Sequence, residues 1–212
     1  MRTAALIATV LVSSALAAPA ARAEADLENG STIAYSCFGC HAIEGYRNAY
    51  PSYRVPKLGG QTAAYLAVAL RGYRDGTRSH GTMVAQAQSL SDQDIEDVSA
   101  YLATLGNETV QAGGGEPVSF ERATTCVACH GQKGIGVSPT WPTLAGQHES
   151  YLVHALEAYR NGDRTDPVMA PMAQQLTEAD VRSLAAYYAG LEGLETLATP
   201  DDDETVAAGE AD

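Results

Sequence analysis

Residues 56–105 are repeated at 142–191, offset by 86 positions and without a gap, with 21 identities in 50 positions. Pro56-Lys57-Leu58-Gly59-Gly60-Gln61 answers Pro142-Thr143-Leu144-Ala145-Gly146-Gln147, and Tyr73-Arg74-Asp75-Gly76 answers Tyr159-Arg160-Asn161-Gly162. A single duplication predicts two like lobes rather than a solenoid, which needs three or more stacked short units. Between the copies, Gly113-Gly114-Gly115 within 106–116 reads as linker chemistry.

Each copy carries the same helical signals. Ser91-Asp92-Gln93-Asp94 and Thr177-Glu178-Ala179-Asp180 resemble capping boxes, with Asp in place of the usual Glu or Gln. Ile95, Val98, Leu102 and Leu105 then fall on one helical face, as do Val181, Leu184, Tyr188 and Leu191. A preceding helix is expected near 62–74 and 148–160, ending at Gly76 and Gly162. No alternating strand pattern appears, so the expectation is all-α. Lobes this small need a staple or a prosthetic group to complete a core.

The four cysteines supply one. They form Cys37-Phe38-Gly39-Cys40-His41 and Cys126-Val127-Ala128-Cys129-His130, with none left over. CxxCH is the attachment pattern of c-type haem. Two thiols about one helical turn apart can each form a thioether to a haem vinyl group, and the next residue offers an imidazole to the iron. A thioredoxin-like reading needs a βαβ setting that is missing. A zinc site built from the four thiolates would leave both histidines idle. Disulfides remain compatible with an oxidising compartment. The cofactor expectation is two covalently bound haem c groups.

The repeat also nominates the second axial ligand. Met83 and Met169 occupy equivalent positions, whereas Met172 answers Gln86 and His80 answers Asp166. Matched methionines in two CxxCH lobes outweigh the ordinary reading of Met as core filler. His41, Met83, His130 and Met169 are therefore the expected iron ligands, with Met172 and His80 the alternatives. His/Met ligation fills both axial positions and raises the potential, which suits one-electron exchange rather than bond-making catalysis.

Charge and termini place the chain. Residues 1–23 combine Arg2, an apolar stretch from Leu6 to Leu16 and Ala21-Arg22-Ala23, the pattern of a signal peptide cleaved after Ala23. Export to the periplasm is expected. Losing Arg2 and Arg22 takes the formal charge from -13 to -15, which disfavours nucleic-acid binding. The last 21 residues, 192–212, hold 8 acids and no base, and they read as an acidic disordered tail. The expected order is signal peptide 1–23, first lobe 24–105, linker 106–116, second lobe 117–191, tail 192–212.

With these motifs in place, the chain resembles the dihaem c4-type cytochromes, two tandem class-I cytochrome c domains. The resemblance rests on both CxxCH motifs, the two Pro-x-Leu-x-Gly-Gln turns, the matched methionines and the Leu-[Ser/Thr]-x-x-Asp starts of the last helices. It implies a small helical fold around each haem. It also implies that the Pro56 and Pro142 carbonyls hold the proximal imidazole N–H. The function it implies is a carrier passing electrons towards a terminal oxidase or similar acceptor, with redox partner proteins and peripheral membrane association. The alternative is the electron-accepting subunit of a sulfide, thiosulfate or alcohol dehydrogenase complex. The lobes differ between histidine and proline. Tyr46, Arg47, Tyr50, Tyr53 and Arg54 stand in the first loop, and Lys133 and Trp141 in the second. Unequal haem potentials are expected, and Arg47 and Arg54 are candidates for the propionates.

Overall fold

The computed structural model describes residues 24–106 and 120–199. Among them there is no strand, only three isolated bridges between loops. The expected signal peptide, the glycine run of the expected linker and residues 200–212 lie outside the described residues.

The first lobe contains α1 (Leu27–His41), α2 (Ala63–Arg74), α3 (Gly81–Gln88) and α4 (Asp92–Thr104). The second begins with a 3₁₀ turn (Glu121–Ala123) and continues through α5 (Thr124–His130), α6 (Glu149–Asn161), α7 (Met169–Gln174) and α8 (Glu178–Ala189). No described helix is long and apolar enough to cross a membrane.

Both expected capping boxes form: Ser91 with Asp94, and Thr177 with Asp180. A box satisfies two orphan amides at once. The shorter side chain of Asp still reaches back to the cap amide, at 2.9 Å in α4 and 3.1 Å in α8. α6 ends on Gly162 at φ 89°, a left-handed conformation that glycine adopts without steric cost.

Ala34, Leu66, Val98 and Leu102 form the first core, and Ala123, Leu152, Leu184, Ala185 and Tyr188 the second. In the first lobe α1 lies directly on α4. A Cβ on Gly30 would stand 2.3 Å from the Asp97 carbonyl oxygen, so the two backbones touch where only hydrogen fits.

The lobes dock about a pseudo-twofold axis that the 86-residue offset defines. Gln61 accepts the Thr143 N–H at 3.1 Å and donates to its carbonyl at 3.2 Å. Gln147 does the same to Lys57, at 2.9 and 3.0 Å. Lys57 and Thr143 are equivalent positions, as are the two glutamines. On the axis, Arg78 and Arg164 pair as an antiparallel bridge, and the Thr165 N–H donates to the Thr77 carbonyl at 2.8 Å.

One expectation is corrected. The acidic tail does not begin at 192, because 192–199 form a strap across both lobes. Glu195 exchanges two backbone hydrogen bonds with Gly59, both at 3.0 Å. Leu194 donates to Ala145, the equivalent of Gly59, at 2.8 Å. Leu194 is 1% exposed, and Leu197, 3% exposed, joins the first-lobe core. The acid-rich composition of the whole segment concealed two leucines and the unpaired turn amides and carbonyls that this backbone satisfies.

Candidate functional site

A continuous cavity of about 900 Å³ runs through both lobes, and both CxxCH motifs face it. That volume lies in the range of prosthetic-group pockets. Its walls are largely aliphatic: Leu66, Leu70, Leu90 and Leu102 on one side, Leu144, Leu152, Leu156 and Leu176 on the other.

The motifs sit at the C-terminal ends of α1 and α5. Helical spacing sets the two thiols of each motif about a turn apart, and no disulfide joins them. Burial pushes the Cys37 and Cys126 thiols above their ordinary range.

The two histidines follow one rule. His41 Nδ1 lies 2.8 Å from the Pro56 carbonyl oxygen, and His130 Nδ1 lies 2.9 Å from that of Pro142. A carbonyl can only accept, so Nδ1 carries the proton and Nε2 presents its lone pair. Burial holds both imidazoles below their ordinary value, keeping them neutral against the opposing effect of the proline carbonyl. A neutral ring with an anchored N–H and a free lone pair is the form that ligates a metal. The structure thus brings each proline to its histidine despite intervals of 15 and 12 residues.

Met83 lies on α3 and Met169 opens α7; both line the cavity, and so does Met172. Arg47 reaches the cavity and bonds the Ser52 carbonyl. Arg54 lines a separate outer groove instead. Lys133 and Trp141 do not line the cavity.

Sequence reasoning missed the charged cluster where the lobes meet. Arg78 and Arg164 are 7% and 8% exposed, and no carboxylate pairs with either among the described residues. Both donate to the Tyr65 hydroxyl, at 2.9 and 3.1 Å. Arg78 lies over the Tyr65 and Tyr73 rings, and Arg164 lies 4.4 Å from the centre of the Tyr159 ring. Burial works against the Tyr65 phenolate, yet the two guanidiniums overcome it and bring the phenol down to about 8. Arg164 Nε is buried without a partner. The signal was present: Arg78 and Arg164 are identical at the repeat offset, and Tyr65, Tyr73 and Tyr159 form their cradle.

Buried cations without anions are costly. Their presence in the wall of a cavity flanked by two CxxCH motifs fits a group with acidic side chains, as haem has. The orphaned Arg164 Nε–H, the apolar walls and the oriented imidazoles all suit that cofactor.

Comparison with known proteins agrees. The cytochrome c family model matches residues 27–106 and again 119–192. Cytochrome c4 of Pseudomonas aeruginosa is 30% identical over 187 residues, 81% of this chain and 91% of that protein. The thiosulfate dehydrogenase electron acceptor of Stutzerimonas stutzeri is 33% identical over 179 residues, covering 77% and 82% respectively. The solved structure of reduced cytochrome c4 from Pseudomonas stutzeri superposes with a TM-score of 0.63 at 28% identity, covering 80% of this chain and all of that one. A thiosulfate dehydrogenase (TsdBA) from Marichromatium purpuratum gives 0.61 at 32% identity, covering 78% of this chain and 40% of that one.

Proposed function

Because the chain belongs to the cytochrome c family, with two domains and two covalently bound haem c groups, we propose that each lobe holds its haem through one His/Met pair. The protein is an electron carrier and not an enzyme in its own right. Cys37 and Cys40 would bind the first haem and Cys126 and Cys129 the second, as thioethers. His41 with Met83, and His130 with Met169, would ligate the irons. The domains are 24–105 and 117–191.

When bound, the haem irons supply one-electron oxidation and reduction. The chain's own residues do the rest. Pro56 and Pro142 fix ring orientation and raise imidazole basicity. The leucine walls exclude water. Arg78 and Arg164, buried in the cavity wall, would supply the cations for the haems' acidic side chains.

The observation that carries this reading is the repeated Nδ1–H to proline carbonyl bond beside each CxxCH. Replacement of Met83 or Met169 by Leu tests it. Each should remove about half of the thioether–iron absorption band, and Met172→Leu should leave the band whole. A Met172→Leu variant lacking the second half of the band would transfer the role from Met169 to Met172.

The location proposed is the periplasm, with 1–23 as a cleaved signal peptide and peripheral membrane association. The partners proposed are redox proteins, the acceptor being a terminal oxidase or a similar centre. A second reading is favoured by the relatives that serve as electron acceptors of thiosulfate dehydrogenase: the chain would drain electrons from a dehydrogenase. Co-purification of the native protein with a dehydrogenase would select it, and isolation as a free protein reduced by other donors would select the carrier.

A further inference from the structure

We propose that His80 and Asp166 are positioning residues for Met83 and Met169, and that their different chemistry makes Met83 the more easily displaced ligand. The inference rests on the assignment of these methionines as iron ligands. His80 and Asp166 are equivalent positions, each three residues before its methionine. Each accepts that methionine's own backbone N–H, but by unlike bonds.

His80 Nδ1 accepts from Met83 N at 3.3 Å. Asp166 Oδ1 accepts from Met169 N at 2.8 Å and from Val168 N at 2.9 Å. Bonds to a carboxylate are shorter and roughly twice as strong as neutral ones. The backbone leading into both anchors is fixed alike, by the Arg78–Arg164 bridge and the Thr165–Thr77 bond. What differs is the last link to the methionine.

That link also differs in its support. The His80 ring meets the edge of Tyr53 at 6.2 Å, and Tyr53 stacks on His154 of the second lobe at 4.0 Å. Asp166 holds its turn with two carboxylate bonds, to Val168 and Met169, where His80 makes one. The anchoring side chain of Met83 is therefore braced through Tyr53 by the neighbouring lobe, and that of Met169 by its second bond. A flexible thioether side chain follows its backbone, so a weaker amide anchor gives a looser sulfur.

The test is imidazole titration of the ferric, full-length holoprotein at fixed pH. Loss of the thioether–iron band is followed, and imidazole binding at each haem is resolved by NMR, with the haems assigned from Met83→Leu and Met169→Leu. Met83 should give way first, at a concentration lower by about fivefold, the worth of one helix-cap bond. Exchanging the anchors decides the matter, because imidazole reaches each lobe by the same route in wild type and variant. His80→Asp should raise the concentration needed at Met83 by about fivefold, and Asp166→His should lower that at Met169 as much. Asp166→Asn, which keeps an acceptor, should restore most of what Asp166→Ala loses. Tyr53→Leu should loosen Met83 alone.

Unchanged midpoints in both exchange variants, or displacement of Met169 before Met83 in the wild type, would overturn the proposal. Failure of the ligand assignment looks different: Met83→Leu would then leave the band whole before any imidazole is added.

Discussion

The two lobes share the devices that clamp them together and orient their histidines, and diverge in how the CxxCH helix is held. Both keep the capping box, the glutamine clamp, the proline carbonyl and a paired arginine. In the first lobe the motif ends a 15-residue helix that lies against α4. In the second it ends a 7-residue helix that follows a 3₁₀ turn. The first lobe adds a polar knot: Asp97 accepts from the Asp26 amide at 2.9 Å and from the Asn29 side chain at 2.8 Å. Its equivalent in the second lobe is Ser183, which is exposed. One copy thus carries more of its own helix packing, while the capping boxes, the glutamine clamp and the proline carbonyls are common to both.

Removing each haem should widen this contrast most. Replacing Cys37 and Cys40, or Cys126 and Cys129, by alanine should in each case halve the covalent haem, measured as the pyridine haemochrome. The second-lobe variant should lose more helix by far-UV circular dichroism, because α1 can still pack on α4 in the first. Equal losses would break the comparison.

Gly30→Val should follow in size. A side chain there meets the Asp97 carbonyl and the Tyr101 Cβ, and forcing the helices apart costs about 3 kcal/mol. Denaturant unfolding monitored at each haem should show the loss in the first lobe.

The glutamine clamp makes the opposite prediction, of sameness. Gln61→Leu and Gln147→Leu each strand the backbone groups of one residue in the facing lobe, at a cost of about 2 kcal/mol. The two variants should unfold at matching denaturant concentrations. A wide difference would show that the dyad is not energetically symmetric.

The smallest effect concerns acid. Burial raises the Asp97 carboxyl, but bonds from Asn29, the Asp26 amide and Gln93 outweigh it and hold the group below the usual carboxylate range. A carboxyl depressed in the folded state adds stability that is complete above its unfolded value of about 3.9, and that is lost as pH falls through the lower folded value. Asp97→Asn should therefore flatten the acid limb of first-lobe thermal unfolding below about pH 4 and leave the second lobe alone.

Much of the site was legible because it is written locally. CxxCH, the histidine after it and the Asp-based capping boxes each span about one helical turn, so spacing alone carries their geometry. The prolines entered through family resemblance, and the loops that bring them back differ by three residues. The strap at 192–199 was illegible in composition, since Leu194 and Leu197 sit among acids and only the turns at Gly59 and Ala145 give them a place. The arginines and tyrosines were legible as repeats but not as a cluster.

The sequence by itself determined two duplicated helical lobes, the residues that attach a haem to each, and one methionine common to both. Tertiary structure decided which residues of one lobe satisfy the other. Gln61 meets Thr143 across 82 residues and Gln147 meets Lys57 across 90, and no local pattern encodes that pairing. It follows from the docking of two like surfaces, where a buried amide or carbonyl left unpaired in its own lobe must find its partner in the facing copy.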